Sequence, residues 1–407
     1  MYDLMEGVRV IEVAEHTFAP SAGAMLADWG ADVIKVERTV GGGDPARNMR
    51  AIQQPGQKRN GYFEVANRGK RSLAIDLTQA EGRKHLYRLL DTADVFVTNL
   101  RREAREKLGI EAEVLIGRRP ALIYARATGY GVRGAMADHG GFDFPSSWCR
   151  SGSAFVQTPA DGGPPPQQPG SVGDLTGGAT LAGAISAALF RRSRTGKGAL
   201  IDHSLYGVGA YIMTQHIASA SLACAPPPGQ AAPIRRASRP MNPINRLYKT
   251  ADDRWISLCL LMDRWFADLA RRIGREDMLS DARYATEDAK YQNAAAMIDE
   301  LSAVFATKTL AEWSEILFGM EGVWAPCLSP AEVMTDPQAL ENGIVTSVTD
   351  SDGDTYWAAC TPGMFDGRPI GPLRASPGYG EHTDEIMGEL GLDAGQLAEF
   401  RARKLLV

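Results

Sequence analysis

From Gly7 onward the chain alternates short β-branched runs with stretches of 3.6-residue apolar period, the pattern of a parallel α/β sheet. Val8–Val13 predicts a first strand, Ser21–Trp29 a helix, and Asp32–Glu37 (DVIKVE) a second strand. A second round follows: a helix at Glu81–Thr92, a strand at Asp94–Asn99, a helix around Ala112–Ile116 and a strand at Ala121–Thr128. Repeated βαβ units with short joins predict a doubly wound sheet, which takes its ligands at the carboxyl ends of the strands. Gly140–Gly173, rich in Gly, Pro and Gln, reads as a long loop of the kind that usually carries function. Leu175–Arg191 is small and apolar and ends in RRSRTGKG, so it predicts a closely packed helix, and Ala199–His203 predicts one more strand.

After this point the βαβ rhythm stops. Cys224–Pro233 (CAPPPGQAAP) reads as a linker stiffened by prolines. Tyr248–Leu261 predicts a hairpin turning at Asp252–Asp253, with helices following through Leu317, which together suggest a smaller second domain. Beyond Trp324 the composition is mixed again and a last helix is expected at Thr383–Leu390.

Composition narrows the function classes. The 407 residues carry 44 Lys plus Arg against 49 Asp plus Glu, a formal charge of -5, so no general nucleic-acid face is expected and an anionic ligand needs locally gathered cations. Five scattered cysteines, Cys149, Cys224, Cys259, Cys327 and Cys360, include no CxxC pair and read as reduced thiols of a cytoplasmic protein. The N-terminus places Asp3 and Glu6 where a signal peptide would be basic, and no run of 18 apolar residues predicts a membrane span.

Motifs exclude more than they assign. The first strand-to-helix turn, AEHTFAPSAG, lacks GxGxxG, which argues against a nicotinamide or flavin nucleotide. GxxxxGK[ST], HExxH and GxSxG are absent too, and the six histidines show no metal-ligand spacing, so no metal is expected. Two features remain. Arg38, the NRGKRS cluster (Arg68, Lys70, Arg71), and Arg101, Arg102, Arg105 and Lys107 follow early strands, where they could bind phosphates or form a solvated face. Asp174, between Gly173 and the pair Gly177–Gly178, could cap the helix that follows, or could act as a nucleophile if the glycines admit a substrate carbonyl.

The blocks EGVRVIEVAEHTFAPSAGAMLADWGADVIKVER, NRGKRSLAIDL, ADVFVTNLR, GYG, GFD, GDLTGG and GEHTDEIMGELG occur in the order seen in family III CoA-transferases, the CaiB/BaiF family. The resemblance runs from Glu6 to Gly391 and implies a Rossmann-like large domain built from both ends of the chain. The expected division is 1–223, a linker at 224–233, a small domain at 234–325, and a return to the large domain at 326–407. It also implies an interlocked homodimer that takes an acyl-CoA donor and a carboxylic acid acceptor.

By the same resemblance Asp174 is the catalytic nucleophile, which forms an aspartyl anhydride and then an aspartyl-CoA thioester. Thr17, Phe18, Arg38, Ile75, Asn99, Leu100, Arg101 and Lys107 fall at CoA-binding positions. Ile75 reads equally as a plain core residue. Lys107 keeps the charge of an arginine found in some members but lacks its fork.

The superfamily also contains 2-methylacyl-CoA racemases, whose GHD motif supplies a histidine base. Here that position is Phe142, which cannot take a proton, while His139 lies three residues earlier and Asp143 remains as a loop cap or an orienting group. Transfer is therefore expected over racemisation. A CoA-ester-binding protein without turnover is the third alternative. Phe18, Phe142, Phe144 and Trp148 suggest a bulky or apolar acyl group.

Overall fold

The structure, a computed structural model, describes residues 3–49, 59–159, 162–223, 242–371 and 373–407; the linker expected at Cys224–Pro233 lies outside them. Six parallel strands form the main sheet: β1 (Arg9–Val13), β2 (Asp32–Glu37), β3 (Arg71–Ala74), β4 (Val95–Thr98), β5 (Ile123–Thr128) and β6 (Ala199–Ser204). Their order is β3-β2-β1-β4-β5-β6, with Ile11 of β1 opposite both Ile34 of β2 and Phe96 of β4. Because the order reverses between β1 and β4, the loops leaving these two strands diverge and open a crevice. The sequence pattern did not predict β3: RSLA is only four residues long and carries none of the aromatic or branched enrichment that marks a strand.

Helices pack on both faces of the sheet and largely bury β1 to β5, while the edge strand β6 leaves Leu200 and Asp202 exposed. The helices up to residue 223 are, in chain order, α1 (Phe18–Asp28), α2 (Gly61–Asn67), α3 (Ala80–Leu90), α4 (Arg102–Leu108), α5 (Ala112–Arg118), α6 (Ser153–Val156), α7 (Val172–Thr195), α8 (Leu205–Ile212) and α9 (Thr214–Ala223). On one face Leu86 and Leu89 of α3 and Leu115 of α5 pack on Ile11, Ile34 and Phe96. Ile386 and Phe400, from the helices Thr383–Glu389 and Ala394–Ala402, join the same core. On the other face Leu26 of α1 and Leu181 and Ile185 of α7 pack on Val10, Val33 and Val97.

The contact between α1 and α7 explains the glycine pair of GDLTGG. A Cβ on Gly177 would overlap the Phe18 ring, and one on Gly178 would overlap the Ser21 hydroxyl and lie 2.9 Å from the Ala22 nitrogen. These glycines therefore allow two helices to touch, instead of clearing a path for substrate. α7 also starts three residues earlier than expected, so that Asp174 sits inside its first turn. By length and apolarity alone this 24-residue helix could cross a membrane, contrary to the sequence expectation; in the structure Leu181, Ala182 and Ile185 are buried against the sheet face.

A buried charge cluster braces the crevice. Lys70 Nζ donates to both Glu12 carboxylate oxygens at 2.8 Å, to the Pro20 carbonyl at 2.8 Å and to Asn67 Oδ1 at 3.0 Å. Lys35 Nζ lies 3.2 Å from Glu12 and 2.8 Å from Asp44, and donates to the Ala14 carbonyl at 2.9 Å. Every charge here is matched, as complete burial demands.

The chain forms two compact units, Met1–Arg236 with Pro337–Val407, and Ala237–Asp336. Within the second, β7 (Asn245–Lys249), β8 (Trp255–Cys259) and β9 (Val323–Pro326) make an antiparallel sheet. The β7–β8 hairpin turns at the expected aspartates, with Asp253 at φ 60°. Pairing of β9 with β8 keeps residues beyond 325 in this unit, which therefore ends later than the sequence boundary.

Candidate active site

A cavity of about 690 Å³ opens at the carboxyl ends of β1 and β4, where the strand order reverses. The turn after β1 contributes Glu15, His16 and Phe18, and the turn after β4 contributes Asn99, Leu100 and Arg101. Tyr62 enters from α2, Phe142 from the long loop, and Asp174 from α7. The two turns are clasped by Asn99, whose Nδ2 donates to the Glu15 carbonyl at 2.7 Å while its Oδ1 accepts the Glu15 N–H at 3.0 Å. His16 is held at φ 66°, a left-handed conformation costly to a residue with a Cβ. Its N–H donates to Asp44 at 3.0 Å, so the buried lysine cluster reaches the cavity wall through that carboxylate.

Asp174 is 7% exposed and, among the described residues, forms no ion pair. It does not cap its helix. That task falls to Asp143, which accepts the Gly173 N–H at 2.9 Å and a hydrogen bond from Ser147. Gly173 permits this approach, since a Cβ there would overlap the Asp143 carboxylate. Freed from capping, Asp174 faces the cavity with Tyr62 Oη donating to its Oδ2 at 3.5 Å. Burial, and then the nearby charge of Asp143, push its carboxyl up to about 7, while the Tyr62 hydrogen bond pulls the other way. Behind it, His203 Nε2 lies 2.9 Å from Thr180 Oγ1 and its ring packs 5.9 Å from Phe18.

The far part of the cavity is charged. Arg105 pairs with Glu111 at 3.2 Å, Arg126 with Asp202 at 2.7 Å and Arg102 with Asp138 at 3.1 Å, whereas Arg101 and Arg133 have no ion pair among the described residues.

The structure therefore gathers Phe18, Asn99, Leu100, Arg101 and Asp174 from the expected set. Thr17 is fully buried just beneath, with its hydroxyl beside Tyr62. Arg38 is exposed outside the lining, with its Nε donating to the Gly43 carbonyl at 2.9 Å. Ile75 is committed to the core, 1% exposed and bridged to Leu406, so the plain core reading describes its side chain. Lys107 is also outside the lining, where Arg102, Arg105 and Glu106 share one helix face and Lys107, two residues past Arg105, points elsewhere. Of the four aromatics, Phe18 and Phe142 reach the cavity; Phe144 and Trp148 do not line it. His139 does line it and is exposed. Tyr62 and His16 were not singled out from the sequence, and no local motif marks either one.

The model of CoA-transferase family III matches residues 5–383. The chain belongs to that family. It is 32% identical over 404 residues to the (R)-2-hydroxy-4-methylpentanoate CoA-transferase of Clostridioides difficile, covering 99% of both chains. It is 29% identical to the cinnamoyl-CoA:phenyllactate CoA-transferase of Clostridium sporogenes, covering 99% of this chain and 97% of that one. The crystal structure of a CaiB/BaiF family protein from Brucella suis superposes with a TM-score of 0.80 at 29% identity, over 95% of this chain and 99% of the other. This family III enzyme thus presents a buried carboxylate in a crevice with charged side chains at its far end.

Proposed function

We propose that this CoA-transferase moves CoA from an acyl-CoA to a free carboxylic acid through a covalent intermediate on Asp174. The observation that carries this reading is a buried carboxylate without a paired cation, on the wall of the switch-point cavity. An Asp174 oxygen attacks the thioester carbonyl, the C–S bond breaks, and the electron pair leaves on the CoA thiolate, giving an aspartyl anhydride. The thiolate then attacks the aspartyl carbon and releases the donor acid, leaving an aspartyl-CoA thioester. The acceptor carboxylate repeats these two steps in reverse order. Poor solvation favours the attack, because a carboxylate stripped of water is a stronger nucleophile.

The two relatives are named for CoA transfer to branched or aromatic 2-hydroxy acids. Phe18, Phe142, Leu205 and Tyr62 line the cavity together with Asp174, and this supports an apolar monocarboxylic acid as the acceptor. Homodimer formation is part of the proposal; Tyr211, Ile212, Ile217 and Leu222 along α8 and α9 are exposed apolar residues that a second copy would cover. A cytoplasmic setting accords with the free thiols of Cys149, Cys259, Cys327 and Cys360.

Incubation with acyl-CoA followed by hydroxylamine and peptide mass analysis is expected to place a hydroxamate on Asp174, and Asp174→Ala is expected to be inactive. Full activity in that variant, or an adduct elsewhere, overturns the mechanism. The racemase reading retains one supporting observation, the two cavity histidines His16 and His139. Exchange of the α-proton in deuterated water without any acceptor acid would select it.

A further inference from the structure

Asp174 needs more than burial to work repeatedly. Each time a nucleophile adds to its carboxyl carbon, one of its own oxygens becomes an oxyanion and requires a donor. Among the described residues the side-chain donor directed at it is the Tyr62 hydroxyl, 3.5 Å from Oδ2.

That phenol is held on a braced element. Asn60 caps α2 by accepting the Tyr62 N–H at 3.0 Å, and its own Nδ2 donates to the carbonyls of Ala46 at 2.7 Å and Met49 at 3.0 Å. Two residues along, the buried carboxylate of Glu64 accepts from Arg59 at 3.0 Å and from the Tyr356 hydroxyl at 2.7 Å. At the end of the helix Asn67 Oδ1 accepts from Lys70. A donor on such a scaffold loses little freedom when it tightens onto a developing charge.

We propose that Tyr62 is a catalytic residue that donates to Asp174 Oδ2 at rest and throughout the transfer, never giving up its proton. The inference rests on the covalent reading of Asp174. When Oδ1 attacks the thioester, Oδ2 becomes the aspartyl carbonyl oxygen of the anhydride. When the thiolate adds to that carbon, Oδ2 takes the negative charge until the C–O bond to the donor acyl group breaks and the acid leaves with its electron pair. Tyr62 already stands at this oxygen, and its hydrogen bond strengthens as charge develops. Attack by the acceptor carboxylate on the aspartyl-CoA thioester uses the same contact, with the thiolate as leaving group. Burial first, and then the Asp174 charge, push the phenol up to about 12, so the proton stays in place at neutral pH.

The test compares the full-length enzyme with Tyr62→Phe, using 4-methylpentanoyl-CoA as donor and 2-hydroxy-4-methylpentanoate as acceptor across pH 5–9. The expected result is a kcat lowered by roughly 10- to 100-fold with little change in KM for the CoA ester. The acid limb of kcat/KM also moves to higher pH, because the carboxylate has lost a donor that favours its charged form. Unchanged kcat and an unmoved acid limb overturn the proposal. As a readout independent of turnover, 3-fluorotyrosine is placed at position 62 and its 19F resonance is titrated. A midpoint near that of Asp174, absent in Asp174→Asn, supports the contact; a resonance that ignores Asp174 overturns it. Hydroxylamine trapping separates the two levels. An Asp174 adduct with an unaffected Tyr62→Phe enzyme refutes only the role of Tyr62, whereas turnover without an adduct removes the covalent reading as well.

Discussion

Replacing Asp174 with Asn is expected to stabilise the protein, and increasingly so as pH rises. Burial and the Asp143 charge raise the folded-state carboxyl from its usual 3.8 to about 7. Below 3.8 the group is neutral in both folded and unfolded chains and costs nothing. Between 3.8 and 7 the unfolded chain ionises while the folded one holds its proton, so stability falls with pH, and above 7 the whole penalty is present. Holding the carboxyl that far above its usual value costs about 4 kcal/mol at most, and roughly three-fifths of that, about 2–3 kcal/mol, accrues between pH 5 and pH 8. Asn has nearly the same shape, accepts the Tyr62 hydrogen bond through its carbonyl oxygen and carries no charge. For a unit of this size roughly 2–3 kcal/mol corresponds to a melting shift of about 4 °C. The assay is scanning calorimetry of both proteins at pH 5 and pH 8 without CoA ester. The variant's advantage should be larger at pH 8 by about that amount. A difference that does not change with pH, or an Asn variant that melts lower at pH 8, would refute the claim that this carboxylate is held against its own ionisation.

Other expectations concern rate and packing. Since the nucleophile must be ionised, kcat/KM should rise about tenfold per pH unit below an apparent midpoint near 7 and then level off; a flat profile from pH 5 to 8 would contradict the assignment. Gly178→Ala should cost about 3 kcal/mol in denaturant melts because its Cβ meets the Ser21 hydroxyl and the α1 backbone, whereas Gly183→Ala, with open space around it, should be neutral or slightly stabilising. Lys35→Met should destabilise by about 3–5 kcal/mol, because Asp44 loses its cation in a fully buried place. Its activity should fall further than its stability explains, since Asp44 also holds the strained His16 turn; kcat measured well below the melting temperature checks this.

Five of the six strands of the main sheet and the helices α1, α3, α5 and α7 were legible because short β-branched runs and period-3.6 patterns record burial directly, whereas β3 was too short to carry that signal. The chemistry at Asp174 was half legible. Local sequence left capping and nucleophilic attack both open, with capping the readier reading, and the choice depended on Asp143, thirty-one residues away, arriving to take the Gly173 N–H. Lys107 and Arg105 are both cations on one short helix, and their orientation separated the residue that lines the cavity from the one that does not. Ile75 and the glycine pair show a related ambiguity: residues beside a site also serve packing, and short sequences look the same in either role.

Sequence alone established the parallel α/β class, the family, and a carboxylate at the start of an apolar helix, because each is carried by local pattern or by ordered motifs. The raised affinity of Asp174 for its proton, the Tyr62 hydroxyl beside it and the strained turn at His16 came only with the tertiary structure. Each of these depends on which distant groups share a small volume without water, and desolvation and hydrogen bonding depend on that proximity, not on position along the chain.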